Sequence, residues 1–145
     1  MQYFIRRADT KDIDDLSNLF VDFIGKDSDK DKMEEQLRRI NENSNYYVAV
    51  AEAGSRVIGT AMGIICYDLV GDSGTFMLVE NVVVAPDYQG HGVGKALMNS
   101  IERFGLDNQC KYVILVSESK REGSHEFYNA VGYTTDQKGF KKKIQ

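Results

Sequence analysis

Residues 89–94 read Gln89-Gly90-His91-Gly92-Val93-Gly94, with glycines at three alternate positions. They follow the apolar, β-branched run Phe76 to Val84 and the only proline, Pro86. They lead into Val93, Leu97, Ile101 and Phe104, an apolar stripe at helical spacing. Glycines between a strand and a helix let backbone N–H groups come close to a ligand, and the helix N-terminus adds partial positive charge. That combination suits an anion, best a phosphate or pyrophosphate. Two phosphate loops of known spacing do not fit. A Walker A loop needs glycine where Gln89 stands and Ser or Thr where Ala96 stands. The dinucleotide fingerprint needs glycine where Lys95 stands. The structural alternative is a turn that serves only helix–sheet packing.

The surrounding elements must hold this loop. Tyr3 to Arg7 reads as a first strand, and Asp9 or Thr10 can cap a helix carrying Ile13, Leu16, Phe20 and Phe23. After the polar stretch Gly25 to Lys32, Met33, Leu37 and Ile40 mark a second helix. Tyr46 to Ala51 and Val57 to Tyr67 form a hairpin across turn residues 52–55, with Gly59 and Gly63 as candidate bulges. The loop Asp68 to Gly74 leads into the strand Phe76 to Val84, which Pro86 ends. Tyr112 to Val116 reads as a strand buried on both faces. A helix through Phe127 and Val131 ends at Gly132, and Tyr133 to Thr135 with Phe140 to Ile144 read as a closing strand pair. The expected order is β-α-α-β-β-β-α-β-α-β-β: one α/β domain over residues 1–145, of the α+β type with a mixed sheet.

Composition narrows the function. The 145 residues carry 18 Lys and Arg against 22 Asp and Glu, a net charge of −4 that argues against a nucleic-acid partner. Lys138, Lys141, Lys142 and Lys143 read as a solvated strand end. No apolar run reaches the ~18 residues of a membrane span, and the opening residues lack a signal-peptide core. Cys66 and Cys110 form neither a disulfide framework nor a metal cluster, so the expected setting is the reduced cytoplasm, with no metal.

The run 89–94 resembles the Q/R-x-x-G-x-G/A signature of the GNAT superfamily of acyl-CoA-dependent N-acetyltransferases. Ile5-Arg6-Arg7-Ala8 is similar to the family's opening strand, and Phe127-Tyr128-Asn129-Ala130-Val131-Gly132-Tyr133 to its late F-Y-x-x-x-G-Y/F element. The resemblance implies acetyl-CoA as co-substrate. Its pantetheine arm would pair with Val82, Val83 and Val84, and its pyrophosphate would lie on the amides of Gln89, Gly90, His91, Gly92, Val93, Gly94 and Lys95. It further implies a primary amine acceptor, a small molecule or a peptide, with direct transfer in a ternary complex. Dimers occur in the family, so a homodimer is compatible with it.

Such chemistry needs a base. An alkyl amine with a pKa near ~10.4 leaves on the order of one molecule in a thousand neutral at pH 7. Glu80, a carboxylate within an apolar strand, is the candidate; burial would make it a better base, and an outward-facing surface glutamate is the alternative. Asn81 faces the other way. Tyr128 matches the tyrosine that protonates the departing thiolate in many family members, although a phenol also serves as packing. The family's asparagine seven residues before it is replaced by Arg121, in a run Arg121-Glu122-Gly123-Ser124-His125 that resembles other branches. His125 could reach the same helix face as Tyr128, or cap or pack. Asp27, Asp29, Asp31, Glu34, Glu35, Asp68 and Asp72 could attract a cationic acceptor. A non-catalytic acyl-CoA sensor would keep the glycine run and dispense with the base and acid.

Overall fold

A computed structural model describes residues 1–117 and 122–145. They form two compact units, Met1–Ile114 and Leu115–Gln145. Arg121 lies outside the described residues.

The first unit opens with β1 (Phe4–Arg7), α1 (Ile13–Ile24), α2 (Lys30–Asn41), β2 (Tyr46–Ala53), β3 (Arg56–Cys66) and β4 (Phe76–Val84). Then come α3 (Val93–Asp107) and β5 (Val113–Leu115), which ends at the start of the second unit. The sheet order is β1-β2-β3-β4-β5, with β1 to β4 pairing antiparallel. A crossover through α3 separates β4 from β5, and the whole is the mixed α/β architecture expected.

Asp9 caps a single 3-10 turn, Thr10–Asp12, rather than α1 itself. The Asp12 carboxylate accepts the Asp9 N–H at 2.8 Å, which completes a capping box. It also takes two bonds of 2.8 Å from Arg6, whose guanidinium reaches on to Glu52 at 2.7 Å. Burial works against the Asp12 charge, yet these hydrogen bonds outweigh it and hold the carboxyl below its usual range. One β-strand, one helix start and the β2–β3 hairpin are thereby joined. Leu16, Leu19 and Leu37 of the two helices pack with Val48, Val50 and Val57 to make the core on this face.

On the other face α3 seats Val93, Leu97 and Ile101 against the sheet. A Cβ on Gly59 would stand 3.0 Å from Leu97 Cδ1, and one on Gly63 3.1 Å from Ile101 Cγ2. Both glycines are sites of close helix approach; Gly59 also flanks a bulge, as expected, whereas Gly63 pairs regularly. One register shift leaves Ile58 without a partner beside Gly59, opposite Ala51 and Glu52, and the other lies between Thr60 and Met62.

Two further expectations are corrected. β5 is not buried on both faces: as the edge of the described sheet it leaves Tyr112 and Ile114 exposed. In the second unit α4 (Glu122–Ala130) ends as expected at Gly132, which has φ 101°. The Tyr133 N–H returns to the Tyr128 carbonyl at 2.9 Å and the Gly132 N–H to Asn129, a Schellman closure. Beyond it residues 133–145 form no strand pair, and Phe140 and Ile144 are 94% and 88% exposed. A two-stranded pair that buries neither face has little to hold it. No helix among the described residues is long and apolar enough to cross a membrane.

Candidate functional site

The site is laid out along β4. Glu80 pairs with Met62, but Val83 pairs with Thr60, so the single residue Ala61 stands against both Asn81 and Val82. This β-bulge is made by Asn81, which adopts φ 57°, a left-handed conformation that asparagine tolerates better than most side chains. Paired residues of an antiparallel ladder share a face. Met62 and Val83 pack against the α1–α2 core, so Glu80 is on that same face of the sheet. It is exposed there, as is Asn81, and the burial expected around Glu80 is absent. The apolar strand continues half-buried beyond the bulge, and the exposure is confined to Glu80 and Asn81.

Past the bulge the backbone turns polar groups outward. The Ala85 N–H donates to the Ile58 carbonyl at 2.8 Å, so that peptide's other end, the Val84 carbonyl, points away from β3. The Val83 carbonyl lies toward β3, 3.2 Å from where a Cβ on Gly59 would be. Alternation of peptides then directs the Val84 N–H and the Val82 carbonyl away from β3 as well. On that side β5 offers only three residues, Val113–Leu115, against the nine of β4. A donor and an acceptor thus face the side from which an extended ligand could add as a strand.

The strand hands over to the glycine loop through a 3-10 turn, Pro86–Tyr88. Gln89 donates its side-chain amide to the Val84 carbonyl at 3.1 Å. Gly90 and Gly92 have φ 79° and 81°, where a Cβ is strained, and open space surrounds the Cβ position of Gly90. Gly92 is the N-cap of α3 and has no side chain to satisfy the first-turn amides of Val93, Gly94 and Lys95. Unsatisfied donors at the positive end of a 15-residue helix are what an anion needs. The His91 and Lys95 side chains are exposed, while Val93 is buried and can serve the loop only through its amide.

In the second unit Tyr128 is half-buried, meeting Phe127 and Tyr133 edge-on at 5.2 and 5.9 Å. His125, on the same helix, is also half-buried. Glu80 and Tyr128 belong to different units, and each is described within its own. Several acids of the expected acceptor region have local duties. Asp29 accepts the Lys32 N–H as the α2 cap, Glu34 pairs with Arg38, and Asp68 accepts the Leu69 and Val70 amides. Both cysteines are free, and burial pushes the Cys110 thiol up, away from reactivity.

Two features of this site had not been singled out from the residues: the left-handed Asn81 and the Gln89 amide on Val84. Asparagine within a β-branched strand is the only signal for the first. Nothing in the sequence distinguishes the second from a ligand-facing glutamine.

Residues 13–133 match the family described as Acetyltransferase (GNAT) family. Among solved structures, glucosamine-6-phosphate N-acetyltransferase from Arabidopsis thaliana superposes with a TM-score of 0.88 at 17% identity, over 100% of both chains. AAC(6')-Iy, in complex with the bisubstrate analogue CoA-S-monomethyl-acetylneamine, gives 0.85 at 20% identity over 100% of this chain and 99% of that one. A transcriptional regulator from Bacillus halodurans gives 0.86 at 19% identity over 99% and 100%. At these identities the likeness is one of fold.

Proposed function

This chain belongs to the acetyltransferase (GNAT) family, and we propose that it transfers acetyl from acetyl-CoA to a primary amine by direct attack in a ternary complex. The observation that carries this reading is the continuity of the open β4 edge with the uncapped start of α3. One accepts the amide-bearing pantetheine arm at Val82, Val83 and Val84. The other accepts the diphosphate on the amides of Gly90 to Lys95, with Gln89 fixing the junction.

The amine nitrogen attacks the thioester carbon as Glu80, directly or through a water, takes its proton. The new C–N bond forms, the carbonyl oxygen becomes an oxyanion, and the Val82 N–H beside the bulge is its donor. The C–S bond then breaks, and Tyr128 gives the departing thiolate its proton. A thiol pKa near ~8.5 makes that last transfer the lesser contribution, so base and positioning dominate. The exposure of Glu80 suits this role, because an incoming amine can reach it on the α1–α2 face without displacing packed side chains. The acceptor is a small-molecule or peptide amine; the name of the Arabidopsis relative and the analogue bound to AAC(6')-Iy both point to amino sugars as the first class to try.

The test is release of CoA thiol from acetyl-CoA across polyamines, aminoglycosides, amino sugars, amino acids and peptide N-termini, with wild type beside Glu80→Gln. Amine-dependent release that falls roughly 10²-fold or more in Glu80→Gln, with acetyl-CoA binding retained, is the expected result. Tight binding without release from any amine would favour a non-catalytic acyl-CoA sensor, a reading to which the regulator from Bacillus halodurans with this fold lends weight. Absence of binding would contradict both.

A further inference from the structure

The glycine loop has a neighbour that no motif contains. The hydroxyl oxygen of Tyr3, the residue before β1, lies 3.8 Å from the position a Cβ on Gly92 would take, and among the described residues it is the one atom beyond the adjoining chain within 4 Å of that point. Tyr3 is half-buried, and its hydroxyl makes no hydrogen bond within the described protein. A phenol placed for packing alone usually finds a partner for its O–H. Here the donor is held beside the N-cap of α3, whose first-turn amides are also unsatisfied.

Tyr3 is also accessible from solvent. It lines an open recess of about 510 Å³ in which Glu52 is the one acidic residue. That carboxylate is turned to Arg6, which it meets at 2.7 and 3.0 Å and shares with Asp12. Gly92 without a side chain leaves the approach from Tyr3 to the loop clear. On these grounds, and resting on the acyl-CoA reading above, we propose that Tyr3 is a specificity-determining residue, its hydroxyl donating to the diphosphate of acyl-CoA at the glycine loop. The first strand thereby contributes to selection of CoA thioesters over shorter pantetheine thioesters.

Calorimetric Kd values for acetyl-CoA and for acetyl-pantetheine, which lacks the diphosphate, test this in wild type, Tyr3→Phe and Tyr3→Leu. Wild type is expected to prefer acetyl-CoA. Tyr3→Phe should weaken acetyl-CoA roughly 10- to 100-fold, the scale of one hydrogen bond to a charged group, while leaving acetyl-pantetheine binding and Tm unchanged. Tyr3→Leu should weaken acetyl-CoA at least as much. Wild-type acetyl-CoA affinity in Tyr3→Phe would overturn the inference while leaving the loop reading intact, and so would an equal loss for both ligands. A wild type that binds the two ligands equally would instead overturn the loop reading on which the inference rests.

Discussion

The side-chain amide of Gln89 donates to the Val84 carbonyl over 3.1 Å, fastening the glycine loop to the end of β4. The carbonyl it occupies points away from β3, next to the Val84 N–H that the pantetheine reading uses. Gln89 thus sets the angle at which the loop leaves the strand. Gln89→Ala removes one exposed hydrogen bond, about 1 kcal/mol, and is expected to raise the KM for acetyl-CoA about fivefold with kcat nearly unchanged. Steady-state kinetics with acetyl-CoA varied at saturating amine measure the split. The stability cost should be too small to move Tm by more than a few degrees.

Asn81 holds the bulge by a backbone conformation that glycine also adopts easily and valine does not. Asn81→Gly should therefore keep the register and most of kcat. Asn81→Val, strained by roughly 1–2 kcal/mol in the left-handed region, should lower kcat at least tenfold by returning Val82 toward the ladder. Comparing kcat for the two variants, with circular dichroism to confirm folding, separates backbone geometry from side-chain chemistry. If the asparagine amide itself touches substrate, both variants lose activity alike.

Asp12 gives a dependence on pH that is independent of catalysis. Its folded pKa is depressed, because the Arg6 and Asp9 hydrogen bonds outweigh the effect of burial. The stabilisation is therefore present above the ordinary carboxylate pKa of about 3.9 and is lost as pH falls through the lower folded value. Asp12→Asn removes one partner of a pair whose carboxylate side chain is 5% exposed, at a cost of about 3 kcal/mol near pH 7, or roughly 6–12 °C in Tm. Thermal melts across pH should show the gap between wild type and variant closing in the acid range.

Much of this architecture was legible because single residues have few alternatives. Pro86 ends β4, and Phe76 and Val84 are its observed limits. Gly132 closes α4 in the conformation its position implies. Gly59 and Gly63 were ambiguous, since a missing side chain serves a bulge and a close helix equally well; Gly59 does both, beside Leu97 and at the β2–β3 bulge, while Gly63 only admits Ile101. The bulge in β4 falls against Ala61, a residue that carries no bulge signal. The environment of Glu80 was equally hidden. An apolar strand implies burial on average, but that α1 and α2 leave Glu80 uncovered while packing against Val83 is a tertiary fact. Phe140 and Ile144 would share one face of an extended segment, yet that spacing alone supplies no surface against which to bury them.

The central claim is that acetyl-CoA lies along the end of β4 with its diphosphate at the start of α3. Backbone amide shifts of isotope-labelled protein, followed during titration with acetyl-CoA, test it most directly. The largest changes are expected at Val82, Val84 and Gly90 to Lys95, saturating together with a single Kd. No binding, or shifts centred on the separate recess around Arg7, Thr10 and Arg38 with β4 and the loop unmoved, would contradict it.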